Sequence, residues 1–297
     1  MNQQQQIEMA RQIREQSFAQ VDGSVLAPPR TPEAQREEIR IPTSLVEARA
    51  NVYRPLNVEG ALPVFINLHG GGFIMGQPEM DDPWCAFIAE RTGCVVVNVD
   101  YVLAPEYKFP APVHQCYEIA TWIHEHAKEL NIDPERMAIG GHSAGGNLSA
   151  AVCILNHERG DALPIRYQIL DYPPLDLATD PGDKPDFAEA IPADMARTFN
   201  AMYIDNAEDA RDRLASPVWA SDEALQGLPP ALVITAGKDS LAAEAAKYAQ
   251  RLEAAGVPVV YRDYPGEAHG FTHNGTAENS LEAWELMADH LKDVFAK

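Results

Sequence analysis

Short apolar runs alternate with helical patterns along most of this 297-residue chain. The runs are rich in Val, Ile, Leu and Tyr and are predicted to be strands at 37–41, 46–53, 64–68, 95–99, 137–139, 167–170, 232–235 and 259–264. Helical patterns are predicted at 113–130, 144–158, 241–255 and 277–295. Because alternating strands and helices favour right-handed crossovers, the predicted class is α/β, with a mostly parallel sheet covered on both faces.

Two segments depart from this alternation. Residues 1–22 carry apolar side chains at mostly helical spacing, which predicts one or two amphipathic helices ahead of the sheet. Residues 176–217 are acidic and rich in proline, and they have no strand pattern, so we expect an excursion above the sheet that can act as a lid. A chain of this length can still enclose one core, and we expect a single domain over residues 1–297.

The strongest chemical signal is the sequence GHSAG at residues 141–145. It follows a predicted strand and opens a predicted helix, which is the context that a nucleophile elbow requires. Gly141 and Gly145 supply the small neighbours needed where the strand and helix backbones nearly touch. The turn therefore presents the hydroxyl of Ser143 at the N-terminus of a helix, where developing negative charge is favoured.

A serine nucleophile needs a base, and the topology places it downstream in the order Ser, Asp or Glu, His. His269 lies among small residues on the loop after the strand at 259–264, and this position favours it over His273. Asp239 follows the preceding strand and is the predicted orienting acid, although capping of the next helix is the alternative. Glu244 and Glu267 are the remaining candidates for this orienting acid.

Backbone donors for an oxyanion are predicted in the sequence HGGGF at residues 69–73, which follows the strand at 64–68. Consecutive glycines leave their N–H groups unobstructed by a Cβ atom. We assign the donors to Gly71, Gly72 and Ala144, the last being the residue after the nucleophile.

Cofactor and metal sites have weaker support in the sequence. The glycine run superficially resembles a nucleotide loop, but Pro78 and Pro83 are expected to interrupt the helix that such a loop needs. His124 and His126 diverge on a predicted helix, and the aspartates of residues 180–186 lack the spacing of a calcium loop. We therefore expect no cofactor and no metal.

Charge restricts the class of partner. Lys and Arg number 23 against 44 Asp and Glu, giving a formal net charge of −21. This charge repels nucleic acid and favours neutral small molecules.

Three features of the sequence predict a cytoplasmic location. The four cysteines are spread without paired spacing, the first residues lack an export signal, and no apolar stretch is long enough to span a membrane.

Taken together, the motifs give the sequence a family resemblance. With HGGGF at 69–73, GHSAGGN at 141–147, Asp239 and His269 in this order, it resembles the hormone-sensitive-lipase-like carboxylesterases of the α/β-hydrolase fold. Further matches are DYVLAPE at 100–106, DPER at 133–136 and YP at 172–173. The resemblance implies an eight-stranded sheet, cap elements within 1–36 and 176–217, and hydrolysis of short- to medium-chain acyl esters without a cofactor.

Two departures from the family pattern leave other functions open. Many members have Arg where Val102 stands, and Asp or Thr where His142 stands. GHSAG after HGG is also similar to the relatives of kynurenine formamidase, which cleave an aryl formamide. A non-catalytic receptor of the same fold is a further alternative, but such receptors have lost the histidine that is present here as His269.

The expected partner is a small-molecule ester, and a homodimer is compatible with the sequence. Apolar pockets of enzymes are often lined by aromatic side chains. Four aromatic residues are candidates for the acyl or alcohol pocket, namely Phe73, Phe199, Tyr203 and Phe271.

Overall fold

The computed structural model describes residues 2–19 and 32–297. Within them the strands are β1 (Ala34–Ile41), β2 (Ala48–Pro55), β3 (Leu62–Leu68), β4 (Val95–Asp100), β5 (Ile132–His142), β6 (Ile165–Asp171), β7 (Ala231–Ala236) and β8 (Val259–Tyr264). The helices are α1 (Gln3–Ala19), α2 (Asp82–Thr92), α3 (Ala111–Glu125), α4 (Ala144–Glu158), α5 (Ala193–Tyr203), α6 (Asp222–Leu225), α7 (Ala242–Ala254), α8 (Phe271–Asn274) and α9 (Ala277–Phe295).

The strands of the described residues form one sheet in the order β1-β2-β4-β3-β5-β6-β7-β8. β1 pairs with β2, and β2 with β4, in antiparallel register, while the remaining pairs are parallel. Helices cover both faces, and β3, whose seven residues are all buried, runs through the centre. The predicted α/β class and eight-stranded, mostly parallel sheet are therefore confirmed.

One helix contradicts the sequence analysis. Pro83 was expected to interrupt any helix after the glycine run, but α2 spans Asp82–Thr92 with Pro83 in its first turn. Proline is tolerated there because the N–H groups of a first turn have no partner within the helix. Gly93 then ends α2 in the left-handed conformation, with a φ of 74°.

Two other segments differ from the predicted boundaries. The helical pattern at 113–130 ends earlier, because α3 stops at Glu125. α1 occupies most of the predicted N-terminal helical segment, whereas residues 20–31, including part of the predicted cap segment 1–36, lie outside the described residues. No helix in residues 2–19 or 32–297 is both long and apolar enough to cross a bilayer.

The contact between β3 and the turn from β5 into α4 leaves no room for side chains. A Cβ atom added to Gly141 would lie 2.1 Å from the carbonyl oxygen of Leu68, and one added to Gly145 would lie 1.8 Å from the same oxygen. Both distances are far below van der Waals contact, and the obstructing atom belongs to the backbone of the central strand. The two glycines are thus required for the turn to close on β3.

Replacing Gly145 with alanine is expected to lower the free energy of unfolding by about 3 kcal/mol or more, because either β3 or α4 has to move. Urea denaturation monitored by circular dichroism measures this change. Gly266→Ala is the matched control, since a Cβ atom there meets nothing within 4 Å, and it should change stability by less than about 0.5 kcal/mol. Equal stability of the two variants would contradict the proposed close approach.

Candidate active site

Ser143 sits on the turn between β5 and α4 in a conformation that few non-glycine residues adopt. Its φ is 51° and its ψ is −117°, and such backbone strain is typical of a nucleophile elbow. The turn is held because the N–H of Ser143 donates to the carbonyl oxygen of Asp171, at 2.8 Å, at the end of β6. The hydroxyl of Ser143 lines a cavity at the carboxyl edge of the sheet.

Three predicted residues from distant parts of the chain meet at this edge. Nε2 of His269 lies 2.9 Å from Oγ of Ser143, and Nδ1 of His269 lies 2.7 Å from Oδ2 of Asp239. Asp239 is only 1% exposed, so its carboxylate faces the imidazole and not water. This geometry allows His269 to accept the serine proton while Asp239 holds Nδ1 protonated.

Asp239 also serves the local backbone, because its Oδ1 accepts a hydrogen bond from the N–H of Leu241 at 3.0 Å. The alternative of a role at the start of α7 is therefore compatible with the contact to His269. Of the other candidates for the orienting acid, Glu267 accepts from the side chains of Thr276 and Asn279. Neither that carboxylate nor the carboxylate of Glu244 is recorded in a hydrogen bond to His269 within the described residues.

The glycine loop after β3 lies against the serine. A Cβ atom added to Gly70 would be 3.6 Å from the Cβ of Ser143. Gly71 and Gly72 have φ values of 128° and 58°, which orient their peptide groups in a way that side-chain-bearing residues rarely allow. Among the hydrogen bonds of residues 2–19 and 32–297, none is donated by the N–H of Gly71, Gly72 or Ala144. These three N–H groups therefore have no acceptor among the described residues, as the predicted oxyanion donors require.

The cavity beside Ser143 has a volume of about 490 Å³. Its walls include Phe73 and Phe199, as the sequence predicted, but not Tyr203 or Phe271. Tyr203 is fully buried behind the wall and stacks on Phe73, with ring centroids 3.9 Å apart, and Phe271 is buried against Tyr264. The assignment of Tyr203 and Phe271 to the pocket is therefore corrected, because core packing takes up both rings.

The excursion at 176–217 forms the roof of the cavity. Residues from it that line the cavity are Leu177, Pro181, Lys184, Ile191, Met195, Ala196, Phe199 and Asn200. The ring of Phe199 lies directly over the glycine loop, since a Cβ atom added to Gly72 would meet it at 2.5 Å. α1 supports this roof from outside, because the amide of Gln6 donates to the carbonyl oxygen of Ala201 at 3.1 Å.

A buried ion pair fastens the roof to α7. The ammonium group of Lys184 contacts the carboxylate of Glu244, and their side chains are only 8% and 7% exposed. Glu244 also accepts the N–H of Leu175 at 2.7 Å and of Asp176 at 3.1 Å. Burial raises the pKa of Glu244 to about 7, although Lys184 opposes this rise. Glu244, an alternative candidate for the orienting acid, thus holds the roof against α7 and does not contact His269 among the described residues.

Lys184→Met is expected to destabilise the protein by about 3 kcal/mol at pH 8, because it leaves the carboxylate of Glu244 buried without a cation. The loss should shrink at pH 5. Since the folded pKa of Glu244 is above its unfolded value, the neutral acid favours the folded state and that advantage disappears as pH rises through about 7. Urea denaturation at both pH values measures the effect. The double variant Lys184→Met/Glu244→Gln should recover most of the stability, and failure to recover would contradict the pairing.

Sequence reasoning missed one group of side chains at the edge of the cavity. His273, the runner-up base, does not contact Ser143 but places Nε2 2.9 Å from Oδ1 of Asp81. His142 points away from its neighbour Ser143, and its Nδ1 lies 2.7 Å from Oδ2 of Asp171. Asp81, His142 and His273 each offer a ligand atom, and these atoms lie within 4.8 Å of one another. Their wide spacing along the chain gave no signal in the sequence.

Comparisons with known proteins agree with this geometry. A family model described as an alpha/beta hydrolase fold matches residues 65–273. An arylesterase of Saccharolobus solfataricus is 32% identical over 91% of this chain and 87% of its own length. Carboxylesterase NlhH of Mycobacterium tuberculosis is 34% identical over 86% of this chain and 85% of its own length. An esterase structure from Pyrobaculum calidifontis is 36% identical, with a TM-score of 0.85, over 96% of this chain and 92% of that chain.

Proposed function

Because this chain belongs to the α/β-hydrolase family and its relatives are named esterases, we propose that it is a carboxylesterase acting through Ser143, His269 and Asp239. The observation that carries the proposal is the continuous contact from the serine oxygen through both nitrogens of the imidazole to a buried carboxylate. Such an arrangement serves nucleophilic acyl transfer, whatever the fold that presents it.

In the first half-reaction Oγ of Ser143 attacks the ester carbonyl carbon while its proton passes to Nε2 of His269. The carbonyl oxygen becomes an anion, which the N–H groups of Gly71, Gly72 and Ala144 stabilise. Collapse of this intermediate breaks the bond to the alkoxy oxygen. That oxygen takes the proton from Nε2 and leaves as the alcohol, so the acyl group remains on Ser143.

In the second half-reaction a water molecule attacks the acyl-serine and gives its proton to Nε2 of His269. The second tetrahedral anion then expels Oγ of Ser143, which recovers its proton from the imidazole, and the carboxylic acid is released. Asp239 stabilises the imidazolium that forms twice in each cycle. Every proton transfer in this scheme passes through Nε2 of His269, and neither half-reaction requires a cofactor.

Cavity size and walls support short- to medium-chain acyl esters as substrates. A volume of about 490 Å³ is within the range of small-molecule sites. Apolar side chains, those of Phe73, Met75, Leu177 and Phe199, line the cavity that contains Ser143. We further propose that the roof formed by the excursion, together with α1 that supports it from outside, is the cap, which excludes water from the acyl chain.

An assay of p-nitrophenyl acetate, butyrate, octanoate and palmitate, together with N-formylkynurenine, tests this function. We expect the largest kcat/KM for the esters up to octanoate, and stoichiometric labelling of Ser143 by a p-nitrophenyl phosphonate. Faster turnover of N-formylkynurenine than of any ester would identify a formamidase. Saturable binding of a substrate without turnover would indicate a receptor.

A further inference from the structure

We propose that Asp81, His142 and His273 form a binding site for a divalent transition metal, with Zn²⁺ as the ion of choice, beside the esterase centre. The three ligand atoms lie within 4.8 Å of one another, and all three residues line the cavity that contains Ser143. Two imidazoles and one carboxylate are the ligand set of many open zinc sites. The site is independent of the ester chemistry and does not use His269.

The proton on His142 is fixed by its partner. Asp171 is buried at the end of β6, and its Oδ2 lies 2.7 Å from Nδ1 of His142. A carboxylate only accepts hydrogen bonds, so Nδ1 carries the proton and Nε2 of the neutral ring is a lone pair. His142 is 2% exposed, and its Nε2 has no hydrogen-bond partner among the described residues. In proteins a buried lone pair of this kind is usually occupied by a proton, a water molecule or a cation.

A chain of hydroxyl groups fixes the proton on His273 in the same way. Thr272 donates its hydroxyl to Oδ2 of Asp171 at 2.8 Å, so the hydroxyl of Tyr172, 2.6 Å away, must donate to Thr272. The oxygen of Tyr172 then accepts from Nδ1 of His273 at 3.1 Å. Nε2 of a neutral His273 is consequently a lone pair, although it faces a carboxylate oxygen of Asp81 at 2.9 Å.

With both imidazoles neutral and protonated at Nδ1, three acceptors therefore converge, and a proton or a cation has to join Nε2 of His273 to Oδ1 of Asp81 at 2.9 Å. The other oxygen of Asp81 accepts from the side-chain amide of Asn67 at 2.7 Å, which orients the carboxylate. The cluster thus attracts positive charge, which two added protons or one dication can supply.

Several features of the cluster favour a metal ion. Asp171 behind His142, and Tyr172 behind His273, are the outer hydrogen-bond partners that orient metal-binding imidazoles. The separation of Nε2 of His273 from Oδ1 of Asp81 is close to the roughly 3.3 Å between two ligands of a tetrahedral zinc ion with bonds of about 2.0 Å. Because the three ligand atoms lie within 4.8 Å of one another, a small movement of the side chains completes the site. The cavity provides an entry path and room for a water ligand.

Zinc titration of the tag-free, chelator-treated protein by calorimetry tests the proposal. We expect one Zn²⁺ per chain, and an affinity at least about tenfold lower in Asp81→Asn and in His273→Gln, because each substitution removes a ligand. His269→Gln and Ser143→Ala are the matched controls and should bind Zn²⁺ as the unmodified protein does. Circular dichroism verifies that each variant is folded.

Titration with Co²⁺ provides a second measurement that does not depend on the variants. Binding to this site should produce the visible absorption bands of a four-coordinate cobalt ion, and Zn²⁺ should abolish them by competition. The proposal is overturned if the unmodified protein binds neither ion stoichiometrically. It is equally overturned if binding is lost in His269→Gln but kept in Asp81→Asn and His273→Gln. Neither readout requires turnover, so failure of the esterase assignment would leave this test intact.

Discussion

Ser143→Ala is expected to lower kcat toward p-nitrophenyl butyrate by about 10⁶-fold, with KM little changed. The substitution removes the oxygen that forms the acyl bond, while the oxyanion donors and the cavity remain. Residual hydrolysis should come from water bound in the same site. Steady-state kinetics on protein free of contaminating esterase measures the loss, and the phosphonate label checks that no second serine reacts.

Ser240→Ala is the matched control for this experiment. Ser240 lines the same cavity, but the hydroxyl in contact with His269 belongs to Ser143. Removing the Ser240 hydroxyl should therefore change kcat by less than about tenfold, because a side chain that only lines the pocket takes no part in bond formation. Turnover by Ser143→Ala within tenfold of the unmodified enzyme would rule out this serine as the nucleophile.

Asp239→Asn is expected to lower kcat by about 10⁴-fold with little change in stability. An asparagine can keep the contact with the N–H of Leu241, but its neutral side chain no longer selects the tautomer of His269 or stabilises the imidazolium. Kinetics with the butyrate ester and urea denaturation separate the two effects. If the fall in kcat were accompanied by a comparable fall in the free energy of unfolding, the catalytic role of Asp239 would be contradicted.

Glu267→Gln is the corresponding control for the acid. Glu267 lies two residues before His269 and anchors its loop through Thr276 and Asn279, so the variant tests whether any nearby acid is sufficient. We expect a loss of less than about tenfold. Similar losses in Glu267→Gln and Asp239→Asn would show that loop position, and not the contact with Nδ1, controls the rate.

The elbow could be predicted because its evidence is local. A strand, two glycines, a serine and a helix follow one another within a short stretch, so the neighbours in sequence are also the neighbours in space. Asp239 and His269 could be placed because parallel strands bring their carboxyl ends to one edge. The structure puts both side chains within hydrogen-bond distance of the predicted partners.

Other features depend on packing that no short pattern encodes. Pro78 and Pro83 suggest that no helix forms after the glycine loop, but α2 forms there. A helix tolerates proline only in its first turn, and the sequence alone does not show where the first turn of α2 lies. Tyr203 and Phe271 are aromatic, as many pocket residues are, but their side chains are buried in the core. The Asp81, His142 and His273 cluster joins the residue before α2, the end of β5 and the short helix α8. Its imidazoles are oriented by the carboxylate of Asp171 and the hydroxyl of Tyr172, which only the folded chain brings together.

The carbonyl of Leu68, against which both glycines of the elbow close, has a consequence for enzyme engineering. The turn that carries Ser143 follows β5 and the glycine loop follows β3, and both are held where this turn packs against the carbonyl of Leu68. A library aimed at their neighbours would therefore mostly yield inactive protein. The roof residues Ile191, Met195 and Phe199 line the same cavity but belong to the separate excursion at 176–217. Selectivity for bulkier alcohols or acids should therefore evolve through the roof, at little cost to the catalytic frame.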